Sequence, residues 1–169
     1  MKVYLLRHGL AGEHIDGNPV ADHKRALTSE GKAEVKSVAF GLKKIGVRPQ
    51  LIVTSPLTRA KQTAQITAEV FGYAEEDIEI TDRLSPGVDA HKLFKYLQDF
   101  EKANEIILVG HEPDMAGLVS AMLWAGSDFE IAFKKAGICR IDLASMPPTS
   151  PGVLRWFLTP KIASLAGGK

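Results

Sequence analysis

Three short stretches carry side chains suited to handling a phosphoryl group: Leu6-Arg7-His8-Gly9, Ser55-Pro56-Leu57-Thr58-Arg59 and Val109-Gly110-His111. An arginine presents a planar fork that matches two phosphate oxygens at once, and such charge-assisted bonds are about twice as strong as neutral ones. Arg7, Arg59 and His111 therefore sum to a phosphate pocket if the fold brings them to one point. At about 4 Å and an effective dielectric near 20, each charge pair is worth on the order of 4 kcal/mol before desolvation is subtracted. Several such donors can hold a phosphoryl group without a metal ion, so neither metal nor cofactor is expected. His8 has a different use. A neutral imidazole in line with phosphorus can attack it and form a covalent phosphohistidine, which splits one hard hydrolysis into two steps. Neighbouring positive charges disfavour the imidazolium and keep such a nucleophile unprotonated.

Each stretch follows a short apolar run that reads as a buried strand: residues 3–6, 51–53 and 105–109. The candidate residues thus lie at strand carboxyl ends, the rim where open α/β sheets bind ligands. Gly9 is expected to let the chain turn sharply there. Residues 10–27, rich in Gly, Asp, Asn and Pro, read as a surface loop. Thr28 suits an N-cap before a helix whose apolar face is Val35, Val38, Leu42 and Ile45, ended by Gly46. Pro56 suits the start of a second helix carrying Ala60, Ala64 and Phe71 before Gly72, and its first amides could support an anion. Further on, the pattern predicts a strand at 78–80, helices at 89–100 and 113–124, and strands at 137–143 and 153–158 around a Pro-rich loop at 144–152. The alternation predicts a single three-layer α/β/α domain over residues 1–163, its sheet mostly parallel with an antiparallel C-terminal edge, and a frayed tail at 164–169.

Composition narrows what such a site could serve. With 169 residues, 45% of them hydrophobic, the chain can bury a core without disulfides or structural metal. Its 21 Lys+Arg against 20 Asp+Glu leave a net charge of +1, too little to favour nucleic acid or a membrane surface. Any anion site must be built locally. The one cysteine, Cys139, permits no internal disulfide and fits a reducing, cytoplasmic setting as a small buried hydrophobe. Arg140 follows it directly, leaving no loop between nucleophile and arginine such as a cysteine phosphatase needs. There is no P-loop run for nucleoside triphosphates. His14, His23 and His91 lack the close helical spacing of metal ligands and read as solvated surface.

Leu6-Arg7-His8-Gly9 resembles the signature of the histidine phosphatase superfamily, grouped with the phosphoglycerate mutases. The resemblance extends through Arg25-Ala26-Leu27-Thr28 with Gly31, where Ala26 stands in the place of a common proline, through Ser55-Pro56-Leu57-Thr58-Arg59, and to Gly110-His111-Glu112-Pro113. It covers residues 3 to about 113 in order. It implies His8 as nucleophile, Arg7, Arg59 and His111 as the phosphate pocket, and Arg25 as an additional phosphate ligand. One departure stands out: Asp82-Arg83-Leu84-Ser85-Pro86 has Pro86 where the mutase and phosphomonoesterase branch carries a glutamate general acid. Asp82, Glu112 and Asp89 are weak stand-ins. An alkoxide leaves poorly without a proton, whereas an imidazole, with a reference pKa of about 6.5, leaves far more readily. That departure and the short chain favour the small SixA-type phosphohistidine phosphatases, whose partner is a phosphorylated histidine-containing protein of a phosphorelay. The alternatives are a broad phosphomonoesterase of small phosphorylated molecules and a phosphoprotein-binding module without turnover.

Overall fold

A computed structural model describes residues 1–12, 22–87, 89–126 and 129–167. Six strands form one sheet: β1 (Lys2–Arg7), β2 (Leu51–Thr54), β3 (Glu79–Ile80), β4 (Glu105–Gly110), β5 (Ile138–Asp142) and β6 (Val153–Leu158). Their spatial order is β3-β2-β4-β1-β5-β6. The first four run parallel, while β5 pairs antiparallel with β1 and β6 antiparallel with β5. The α-helices that lie wholly within the described residues are α1 (Ser29–Lys44), α2 (Thr58–Phe71), α3 (Ala90–Leu97), α4 (Asp114–Leu123) and α5 (Pro160–Ala166). None of the described helices is long and apolar enough to cross a membrane.

The period of a strand explains the three layers, because successive side chains leave opposite faces. Val3 and Leu5 of β1, with Ile106 and Leu108 of β4, pack under Leu93 and Leu97 of α3 and Met115, Leu118 and Met122 of α4. Tyr4 and Leu6, with Ile107 and Val109, meet Val35, Val38 and Leu42 of α1, Ala60 and Ala64 of α2, and Ala163 of α5. Both faces are covered, which is why these strands read as unbroken apolar runs. Thr28 caps α1 as expected, its Oγ1 accepting from the Gly31 amide at 3.0 Å.

Four local expectations are corrected. Gly9 has no positive φ. Its requirement is steric: a Cβ there would lie 2.6 Å from Val35 Cγ2 and 3.2 Å from the Gly31 carbonyl, so α1 presses directly on the turn after β1. Pro56 lies outside α2, whose N-cap is Leu57. The helix expected at 89–100 is α-helical only from Ala90 to Leu97 and tightens to a 3-10 turn at Gln98–Phe100. Last, the end of the chain is no simple tail: the expected boundary after residue 163 falls inside α5, which starts with Pro160 in its first turn and packs on α1. Of the loop expected at 10–27, residues 13–21 lie outside the described residues, His14 among them.

The contact of α1 with α5 is close enough to demand glycine. A Cβ on Gly41 would stand 1.8 Å from the Ala163 carbonyl oxygen. Gly41→Ala is expected to push the two helices apart and lower stability by about 1–3 kcal/mol in urea unfolding. A variant as stable as the parent would show that α5 does not rest on α1 in solution.

Candidate active site

The sheet order places β4 between β1 and β2, although β1 and β2 are successive in sequence. After β1 the chain turns to α1 on one face; after β4 it turns to α4 on the other. Adjacent parallel strands whose connections leave in opposite directions open a crevice beyond their carboxyl ends. Arg7 and Gly110 are paired in register, so His8 and His111 stand side by side in that crevice. Their ring centroids are 5.1 Å apart. The His8 amide donates to the Gly110 carbonyl at 3.0 Å, and the Ser55 amide to the Val109 carbonyl at 3.1 Å, bringing the end of β2 into the same place.

His8 is 6% exposed and its Nδ1 lies 2.7 Å from the Gly9 carbonyl oxygen. A carbonyl can only accept, so Nδ1 carries the proton and the Nε2 lone pair is left for chemistry. Burial is the main reason that the pKa of His8 falls to about 4; the Gly9 carbonyl opposes this, while Arg59, Arg7 and Lys135 add to it. The ring is neutral at pH 7. His111, 2% exposed, is held through Nε2 at 2.8 Å from Ser55 Oγ. Burial first, then repulsion from His8 once it is protonated in acid and from Arg59, lowers its pKa to about 3. Ser55 Oγ also accepts from the Leu57 amide at 3.3 Å. When the hydroxyl proton is given to His111 Nε2, the imidazole proton stands on Nδ1, which has no acceptor among the described residues.

Two histidines that are buried neutral have a consequence for acid stability. Their folded pKa values, about 4 and about 3, lie below the ordinary histidine value. The unfolded chain therefore takes up protons that the folded chain refuses, and stability falls as pH drops from about 6.5 toward 4. Each ring can contribute up to about 1.4 kcal/mol per pH unit in that window. Urea unfolding at pH 7, 6 and 5 is expected to show a steeper loss for the parent than for His8→Asn/His111→Asn. Equal slopes would mean the rings are not neutral in the folded state.

Both predicted guanidiniums reach this crevice. Arg7 Nη1 donates to the Phe133 carbonyl at 2.6 Å. Arg59, 6% exposed on the first turn of α2, donates from Nη1 to the Asp22 carbonyl at 2.9 Å and from Nη2 to Asp22 Oδ2 at 3.2 Å. Among the described residues, the buried side-chain nitrogens and oxygens without a hydrogen-bond partner are Arg7 Nε, Arg59 Nε and His111 Nδ1. Buried donors are normally satisfied, since leaving one unpaired costs about 1–3 kcal/mol. That all of them belong to predicted site residues marks the crevice as built for an acceptor. Arg25 joins this group less directly: its Nε donates to the Gly12 carbonyl at 2.9 Å and its Nη1 to Asp22 Oδ1 at 2.8 Å.

The three stand-in carboxylates have unequal fates. Asp89 caps α3, accepting from the His91 and Lys92 amides at 3.0 and 3.3 Å. Asp82 is exposed in a 3-10 turn. Glu112 is half-buried, accepts from the Phe133 amide at 3.3 Å, and feels the charge of Arg7; burial outweighs these and raises its pKa. Cys139 is buried in β5, its thiol pushed up to about 12 by burial, as befits an inert core residue. His23 and His91 are exposed, and the described residues hold no cluster of three metal-ligating side chains.

Three contributors escaped the sequence reading. Thr63 Oγ1 accepts from the Gly9 amide at 3.1 Å and donates to the Arg59 carbonyl at 2.8 Å, tying α2 to the turn that carries His8. Ser55 orients His111. Asp22 joins Arg25 to Arg59, and its only trace in the sequence is the three-residue spacing to Arg25. The segment 133–137 also forms a wall: the Ala136 amide donates to the His8 carbonyl and the Arg7 amide donates to the Gly137 carbonyl, at 3.1 and 3.0 Å.

Fold and site together have the form of an α/β phosphatase. Residues 3–85 match the histidine phosphatase superfamily (branch 1). An uncharacterized protein of Picosynechococcus sp. is 33% identical over 142 residues, 82% of each chain. The phosphohistidine phosphatase SixA of Escherichia coli is 26% identical over 162 residues, covering 95% of this chain and 94% of that protein. The solved structure of the protein histidine phosphatase SixA complexed with tungstate superposes with a TM-score of 0.82 at 24% identity, over 95% of this chain and 98% of that one. The chain belongs to the histidine phosphatase superfamily.

Proposed function

We propose that the protein is a metal-independent phosphatase that passes a phosphoryl group through His8, and that its substrate is phosphohistidine in a partner protein of a cytoplasmic phosphorelay. The observation that carries this reading is the state of His8, with Nδ1 committed to the Gly9 carbonyl and Nε2 free beside Arg7, Arg59 and His111. In the first step the Nε2 lone pair forms the new P–N bond as the bond from phosphorus to the leaving imidazole breaks, and the departing ring takes its proton from solvent. Water then attacks the phosphorus on His8, giving inorganic phosphate and returning the neutral ring. The two arginines and His111 meet the equatorial oxygens, where charge spreads during transfer.

The leaving group decides between substrates. Pro86 stands exposed where a glutamate acid would be, and no carboxylate is needed to expel an imidazole. A broad open cleft beside the site, lined by Leu10, Glu30, Lys134, Lys135 and Lys161, leaves room for a protein surface to approach. One observation favours the second reading, a small-molecule phosphomonoesterase: burial keeps Glu112 inclined to hold a proton near Arg7. The two separate in one experiment. In the presence of chelator, phosphoramidate is expected to turn over well ahead of an alkyl phosphate, with Glu112→Gln leaving the ratio unchanged. An alkyl phosphate turned over faster, and lost on Glu112→Gln, would assign the protein to the second class.

A further inference from the structure

The pocket already contains an anion of its own. Asp22 Oδ1 accepts from Arg25 Nη1 at 2.8 Å, Oδ2 accepts from Arg59 Nη2 at 3.2 Å, and the Asp22 carbonyl accepts from Arg59 Nη1 at 2.9 Å. One residue thus engages three N–H groups on the two guanidiniums. These are forks whose geometry suits a phosphoryl oxygen equally well. Burial by itself would raise the Asp22 pKa, but the hydrogen bonds and charges of Arg25 and Arg59 outweigh it and leave the carboxyl below its ordinary range, ionised at neutral pH. Its charge is also felt at His111, across the crevice.

Resting on the reading of this crevice as a phosphate pocket, we propose that Asp22 is its resident anion: a positioning residue that aims Arg25 and Arg59 and competes with phosphate for their N–H donors. The competition is between a single negative charge held by the chain and an incoming group that carries more. Product phosphate must displace the carboxylate from Arg59 in order to keep its own bonds to that guanidinium. Asp22 therefore weakens the hold on product phosphate and favours its release.

The same geometry gives the exchange a mechanical side. Arg25 is anchored independently through Nε to the Gly12 carbonyl at 2.9 Å, so it stays in place when Asp22 gives way. Arg59 has a third donor nitrogen, Nε, that Asp22 does not engage and that has no partner among the described residues. Once the carboxylate yields Nη1 and Nη2, Nε adds a third donor on the same guanidinium.

The test is direct binding of inorganic phosphate by calorimetry to the parent, Asp22→Asn and Asp22→Ala, which requires no assumption about the phosphorylated substrate. Both variants are expected to bind phosphate about tenfold more tightly than the parent. In steady state they should show stronger product inhibition and a lower kcat, with the single-turnover rate of His8 phosphorylation changed less. A further Arg59→Ala substitution should erase the gain in affinity, because the competition is for that guanidinium. Phosphate bound by the parent with no gain in either variant would overturn the role of Asp22 alone. A parent that takes up no phosphate at all would overturn the pocket, and this proposal with it.

Discussion

His8→Ala is expected to lower turnover by about 10⁴-fold or more and to abolish the covalent intermediate, while phosphate binding weakens only modestly. The asymmetry follows from the site. In the proposed mechanism His8 offers phosphorus a lone pair, whereas Arg7, Arg59 and His111 meet the oxygens, and the substitution leaves all three in place. Phosphohistidine is labile to acid and stable to base, so labelling from a phosphorylated histidine protein, quenched in alkali and mapped by peptide, reads the intermediate directly. Activity surviving in the variant, or a label found on another residue, would remove His8 from the mechanism. The register of Arg7 with Gly110 makes His111 the nearest alternative acceptor, and its bond to Ser55 Oγ distinguishes it: Nε2 is already occupied.

Arg59→Ala comes next in size, with an expected loss of about 10²–10³ in kcat/KM. Arg59 is buried, and its Nε has no partner among the described residues, so an oxyanion is the acceptor best placed to use it. Removal takes away a charge and a fork together. Arg59→Lys separates the two, since lysine restores the charge as a point without the paired donors. It is expected to recover only part of the loss. A lysine variant as active as the parent would show that charge alone is needed, and an alanine variant with unchanged kcat/KM would show that Arg59 lies off the reaction path. The Asp22 contact makes a further contribution: without Arg59 the carboxylate keeps its bond to Arg25 and adds repulsion where phosphate must sit.

Much of this architecture was legible from local pattern. Short apolar runs just before Arg7-His8, Thr54-Ser55 and Gly110-His111 located the strand ends, because strands covered on both faces need no polar interruption. The antiparallel edge followed from β5 and β6 having no helix between them. What the sequence could not carry was contact between distant segments. That Gly9 is required by the approach of Val35, and not by its own backbone angle, depends on how α1 docks. The placement of β4 between β1 and β2 is a property of the whole sheet. Asp22 looked like one more turn residue, since its meaning depends on Arg59, 37 positions away. The helix Pro160–Ala166 was hidden for another reason: it is short, and its Gly-rich end has the composition of a tail.

The pairing of Arg7 with Gly110 also separates two kinds of change open to the protein. Because both histidines are fixed by the main chain of two central strands, their relation cannot be adjusted without disturbing the sheet itself. The segments that border the crevice, residues 82–87 and 129–135, have no strand ladder to preserve. Grafting these borders from a relative with a different substrate should therefore alter which leaving groups are accepted while the rate of breakdown of the phosphorylated enzyme stays nearly constant.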